Sequence, residues 1–120
     1  MSNVPDFTDA ERWLVGSTLK ERYGKSVDVQ LADAELRLNP GDRELTLCPT
    51  LFWKGDDVAF VISKVGESRF RTQFYYSVLE QFGTGREEYD DLLECVTTVL
   101  RVQADHALER AGASGGKSTR

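Results

Sequence analysis

The chain has 120 residues, 20 acidic against 15 basic, for a formal charge of −5. A length near the mode for one domain allows about two-thirds of the unfolded surface to be buried, so folding requires neither a metal nor a disulfide. Setting aside Lys117 and Arg120 leaves 13 basic against the same 20 acidic residues over residues 1–110, or −7, and so acidic a body disfavours nucleic acid and anionic lipid, which bind by phosphate neutralisation.

Thr8-Asp9-Ala10-Glu11 has the spacing of a capping box, in which the threonine hydroxyl accepts from an early helical N–H and the glutamate reaches back. It predicts a helix to about Tyr23, closed by Gly24 in the left-handed position. The apolar residues of this helix, Trp13, Leu14, Val15, Leu19 and Tyr23, occupy more than one face, so the helix is expected to be sandwiched or to meet a partner. Antiparallel strands follow. Val27, Val29 and Leu31 alternate with polar residues, and the phase then slips to Ala34, Leu36 and Leu38, which predicts a turn or bulge near Ala32-Asp33. Asn39-Pro40-Gly41-Asp42 is a turn.

Leu45, Leu47, Leu51 and Trp53 share one phase, interrupted by Pro49, which implies an edge or a bulge because proline donates nothing to a ladder. Lys54 to Asp57 makes the next hairpin turn, and Val58 to Ile62, apolar on both faces, is the expected centre of the sheet. Between Arg69 and Phe82 two periods coexist. Phe70, Thr72, Phe74 and Tyr76 alternate as in a strand, while Phe70, Phe74, Val78, Leu79 and Phe82 follow a helical spacing. The expected division is a strand over about 68–74 and a short helix over about 76–82, ended by Gly83. Thr84-Gly85-Arg86-Glu87 resembles a second capping box and predicts the longest helix, about 86–111, with an apolar stripe through Leu92, Val96, Val99 and Leu100.

The expectation is an α+β fold: an N-terminal helix, an antiparallel meander of four to five short strands, and C-terminal helices packed on one face of the sheet. Residues 1–7 are expected to be a flexible start, 8–111 one domain, and 112–120 a disordered Gly/Ser-rich tail. The tail fits a relaxed phosphate-loop pattern ending in Lys117-Ser118. A working phosphate loop, however, runs from a strand through a glycine-rich turn into a helix. Here a helix precedes the turn and only Thr119 and Arg120 follow it, so the match is read as false.

The two cysteines, Cys48 and Cys95, have no metal-ligand spacing. The single histidine, His106, lies eleven positions after Cys95, about 16 Å along a helix, too far for a thiolate–imidazole pair. Both thiols are expected to be small core residues. Glu87, Glu88, Asp90, Asp91 and Glu94 are read as anions favoured by a helix start rather than as a metal site. No metal and no cofactor is expected. The start has no basic region followed by an apolar one, and the longest apolar run, Val58 to Ile62, is far below the ~20 residues that span a bilayer. A reducing cytosol is the expected compartment and membranes are not an expected partner. Arginine outnumbers lysine two to one, a bias of GC-rich bacterial coding.

No catalytic set emerges. Arg69 and Arg71 interleave with Phe70, Phe74, Tyr75 and Tyr76, as in single-strand nucleic-acid binders, but the acidic body argues against that use. The two-faced first helix, together with Phe52 and Trp53 in opposite phases near Pro49, points to a partner surface or a homodimer. The functional expectation is a non-enzymatic protein-interaction domain of adaptor or chaperone-like kind. The alternative is a small-molecule site, catalytic or not, between the sheet and the long helix. Trp13, Trp53, Tyr75 and Tyr76 would line it, and Arg69 or Arg71 would orient an anionic group.

Overall fold

A computed structural model of the chain describes residues 4–55 and 57–114, with side chains as far as residue 111. The expected tail motif at Lys117 and Ser118 lies outside the described residues. Helix α1 is Asp9–Tyr23. Its capping box forms as the sequence requires: the Thr8 hydroxyl accepts from the Glu11 N–H at 3.1 Å, and the Glu11 carboxylate accepts from the Thr8 N–H at 2.8 Å. Gly24 ends the helix at φ 73°, where a Cβ would be strained.

Five antiparallel strands follow in spatial order β1-β2-β3-β4-β5: β1 Gln30–Leu36, β2 Thr46–Lys54, β3 Ala59–Gly66, β4 Arg69–Ser77 and β5 Glu80–Phe82. Helix α2, Leu92–Ser114, closes the fold. The doubly apolar strand is indeed central. Pro49 lies where β2 pairs with β1 alone, because the ladder to β3 begins at Thr50, so its missing N–H forfeits no bond to β3.

Three local expectations are corrected. The β1 register runs unbroken from Gln30 to Leu36, with no bulge at Ala32-Asp33. Val27 and Val29 precede the strand, so the apparent phase slip only marks its start. The short helix over 76–82 is a hairpin: β4 continues to Ser77, turns at Val78-Leu79, and returns through β5, with Phe82 opposite Phe74. The residues that looked helical meet across strands, and Tyr76 and Phe82 pack on Phe74 at 6.1 and 5.7 Å. The long helix starts at Leu92, not Arg86, because Tyr89 is taken by the sheet. Tyr89 exchanges two 2.8 Å backbone bonds with Phe70, and the Thr84 hydroxyl bonds the Tyr89 hydroxyl rather than a helical N–H. The Asp91 carboxylate accepts from the Glu94 N–H instead, at 3.1 Å. Glu87, Glu88 and Asp90 therefore precede the helix they were expected to open.

Both helices cover the same face of the sheet. Val15 and Leu19 from α1 and Cys95, Val96 and Val99 from α2 bury against Leu51, Trp53, Phe60, Ile62 and Phe74. Trp53 stacks on Phe60 at 5.2 Å and is 1% exposed. Phe7, before the first helix, also belongs to this core. On the same face Lys64 of β3 is 2% exposed, and its ammonium donates to the Glu11 carboxylate at 2.8 Å and to the Asp6 carbonyl at 3.0 Å. Glu11 thus caps α1 and anchors it to the central strand.

Leaving one partner of such a pair buried and alone costs several kcal/mol. Glu11→Gln, which keeps an acceptor for Thr8 but strands the buried Lys64 ammonium, should lower the unfolding free energy in urea by about 3 kcal/mol. Adding Lys64→Met, which removes the stranded charge, should recover a substantial part. A double variant no more stable than the single one would show that the pair is not what ties α1 to β3.

Candidate functional site

Among the described residues, the opposite face of the sheet carries no helix. Cross-strand registers identify what it presents. One row is Gln30, Phe52, Val61 and Gln73, and the next is Ala32, Thr50, Ser63 and Arg71. A third row is Lys54, Ala59, Tyr75 and Gln81, and along the β1 margin Ala34 faces Cys48 and Leu36 faces Thr46. Among the described residues, none of these positions is Asp or Glu, although the chain has 20 acidic residues. A solvated antiparallel face is ordinarily polar and well supplied with charge.

The face is curved. Arg71, on β4, donates to the carbonyls of Arg37 and Leu38 at 3.3 and 2.9 Å, just past the end of β1 and three strands away. The β1–β2 hairpin must therefore fold toward β4. That curl encloses a groove of about 530 Å³ whose floor includes Thr50, Val61 and Ser63 and whose walls include Leu36, Tyr75 and Val78. The Thr50 and Ser63 hydroxyls bond each other at 2.8 Å, and both residues are 5% exposed. Cys48, beneath the same curl, is fully buried.

Arg71 holds the edge of the groove but is not a free cation. Glu88, in the segment before α2, accepts from Arg71 at 2.8 and 3.0 Å and from Arg69 at 2.6 and 3.0 Å. Burial pushes the Glu88 carboxyl up, but the hydrogen bonds and charges of the two arginines outweigh it and hold the group below the usual carboxylate range. One clasp thus joins the segment before α2, β4 and the β1–β2 hairpin.

The rim of the groove carries the most exposed large apolar side chains among the described residues. At the β4–β5 turn Val78 is 82% and Leu79 94% exposed. The turn is held by its polar neighbours: Leu79 N–H donates to the Ser77 hydroxyl at 3.3 Å, and the Gln81 amide donates to the Val78 carbonyl at 2.9 Å.

The residues singled out from sequence fall in three places. Arg71 and Tyr75 line the groove. Trp53 and Tyr76 face the helices, Trp53 in the core and Tyr76 against α2, where its hydroxyl meets His106 Nδ1 at 3.2 Å and the Gln103 amide at 3.3 Å. Trp13 stands alone on the outer side of α1, 74% exposed, and Arg69 is an exposed partner of Glu88. Thr50, Ser63, Gln73, Val78 and Leu79 were missed. The first three are ordinary out-of-phase strand residues, and the last two were hidden by the helical reading of 76–82.

Nucleophilic chemistry finds poor material. Burial raises the Cys48 thiol despite Arg71 nearby, and burial pushes Cys95 up to about 12, with the Thr72 hydrogen bond opposing weakly. His106 packs on Phe82 at 4.3 Å. Among the described residues no three His, Cys, Asp or Glu side chains are placed to hold a metal ion, and no helix is long and apolar enough to cross a membrane.

At pH 8 both thiols should resist an aromatic disulfide reagent in the folded protein, and both should react at once in denaturant. Rapid modification of either in the native state would reveal a thiolate that this environment should suppress. The Glu88 shift has a definite sign. Its contribution is complete above the unfolded carboxylate value, about 4.3, and fades as pH falls through the lower folded value. Glu88→Gln should cost on the order of 1 kcal/mol at pH 7. The gap to the native chain should close on acidification, as read from melting curves at several pH values.

In comparisons with known proteins, the chain matches no family model, no curated protein and no solved structure at a significant level.

Proposed function

We propose that the chain is a non-enzymatic protein-interaction domain, adaptor or chaperone-like in kind, that binds through the open face of its sheet. The observation that carries this reading is the composition of that face: rows of Ala, Val, Phe, Tyr, Thr, Ser and Gln, with Lys54 and Arg71 as the charged positions and no carboxylate in the rows, in a chain with 20 acidic residues. Water does not require a surface so poor in carboxylates, and a low share of charge is what distinguishes the core of a protein interface. Val78 and Leu79, projecting at the rim, supply the apolar anchors that concentrate binding energy. The raised thiols support the absence of nucleophilic chemistry.

A second reading places a small molecule in the groove. Its volume, about 530 Å³, lies in the usual range for ligand pockets, and the Thr50–Ser63 hydroxyls, Gln73 and Tyr75 offer polar contacts to an uncharged compound. Such a site is on the face opposite α2, not between the sheet and α2, and Arg71 in it is already neutralised by Glu88.

Burying one leucine side chain is worth about 1.5–3 kcal/mol. Leu79→Asp should therefore weaken partner binding by roughly tenfold to a hundredfold or more. Leu108→Asp, at a leucine on α2 that is 73% exposed, serves as the control and should not weaken it. The check is stoichiometric recovery of one protein from native extract by the native and Leu108→Asp chains and not by Leu79→Asp. Recovery of the bait alone, with no self-association, would favour the small-molecule reading.

A further inference from the structure

The two margins of the sheet are built differently. At one, β5 has three residues, and its register with β4 shifts between Tyr75 and Ser77. So short and irregular an edge gives another chain little to pair with. At the other, β1 has seven residues in unbroken register with β2, its one neighbour in the sheet. β1 holds no proline, no lysine and no bulge, the usual devices that blunt an edge. Gln30 to Asp33 and Glu35 are exposed. Among the described residues no other segment pairs with this strand, so alternate main-chain groups along it face away from β2.

The side chains of β1 specify what would complete the ladder. Leu31, Asp33 and Glu35 share the face on which Leu51 enters the core, and Ala32 and Ala34 share the other. Among the described residues neither carboxylate has a salt-bridge partner. The seven β2 residues paired with β1 include no cation. Arg37, just past the strand, donates to the Asp42 carbonyl, Arg43 lies between Asp42 and Glu44, and Arg71 is bound to Glu88. Lys25 and Lys54 line a hollow beyond the Gln30 end, away from Asp33 and Glu35. An acidic segment laid on this edge would be repelled. A second copy of β1 fares no better: antiparallel about Ala34 it sets Asp33 against Glu35, and about Asp33 it sets that carboxylate against itself. A basic strand meets both carboxylates.

We propose that β1 is a docking edge for a basic, extended segment of another protein, which adds a strand to the sheet with Lys or Arg at alternate positions facing Asp33 and Glu35. Main-chain bonds supply the attachment, and the two carboxylates supply the choice of face and of partner. The proposal rests on the reading that the chain binds protein, but not on the open face or on Leu79.

The test is titration of the isotope-labelled full chain with two blocked heptapeptides, Lys alternating with Val in one and Glu with Val in the other, up to about 1 mM, followed by NMR. The Lys peptide should bind and slow the exchange of alternate amides within residues 30–36, and the Glu peptide should not bind. Asp33→Lys combined with Glu35→Lys, both at exposed positions, should reverse that preference. Each dissociation constant should move about tenfold or more, with an unchanged melting temperature. Methylating the main-chain nitrogens of either the Lys or the Val residues distinguishes a ladder from simple attraction. One set faces β1 and its methylation should abolish binding, whereas methylation of the other set should not. Leu79→Asp should bind the Lys peptide as the native chain does. Failure of the Lys peptide to bind, equal binding of both peptides, or equal tolerance of both methylated sets overturns the proposal. Dependence on Leu79 would move the peptide to the open face and overturn the edge alone. Edge binding that persists in a chain without any Leu79-dependent partner sustains the proposal and removes only the open-face reading.

Discussion

A single ammonium sets the layout of this protein. Lys64 stands on the central strand among apolar side chains, where an unpaired charge would be intolerable. Its partner is the glutamate that already satisfies the first turn of α1, and its second contact is a carbonyl two residues before that helix begins to be capped. The burial of Lys64 therefore dictates where α1 starts and on which side of the sheet it lies. Once α1 is fixed, α2 packs beside it, because Val15, Leu19, Val96 and Val99 share one core with the sheet. The helical cover among the described residues is thus committed to one face, and the other is left without it.

The second face is shaped by the clasp at Glu88. A carboxylate between two guanidiniums can orient both, and the planar fork of Arg71 then has donors to spare for two backbone carbonyls across the sheet. Sheet curvature is stabilised through side chain to main chain contact rather than through a covering helix. The same carboxylate pins the segment that delivers Tyr89 to β4, so the start of α2 and the curl of the sheet share a single fastening. A lysine at 71 would keep the charge but lose the geometry.

How much of this was legible depended on whether local chemistry and tertiary demand agreed. At Thr8–Glu11 and Gly24 they agreed, and both ends of α1 could be read directly. The all-apolar stretch from Val58 to Ile62 announced the sheet centre because a strand with neighbours on both edges, its second face screened only by the curl of the sheet, tolerates it. At Thr84–Glu87 they disagreed: the capping spacing was present, but a backbone exchange between Tyr89 and Phe70 claimed the segment first. Over 70–82 two periods fitted equally, and the hairpin won because it brings Phe74, Tyr76 and Phe82 together with His106 on the underside of α2. The open face was invisible for a further reason. Its character is an absence of carboxylates distributed over all five strands, and that emerges only once the register is known.

The Val78-Leu79 reversal also bears on how the chain arrives at its fold. An Asn-Gly pair at these positions would favour the twist of the hairpin and draw the shortest strand into place early. With Val and Leu there, β5 has only three residues and an unhelpful bend to hold it, so its docking waits on the aromatic contacts of Phe82 with Phe74 and His106. The last edge of the sheet is then assembled by α2 rather than by its own turn. Here local sequence works against local structure, and β5 depends on side-chain contacts with Phe74 and His106 rather than on its own turn.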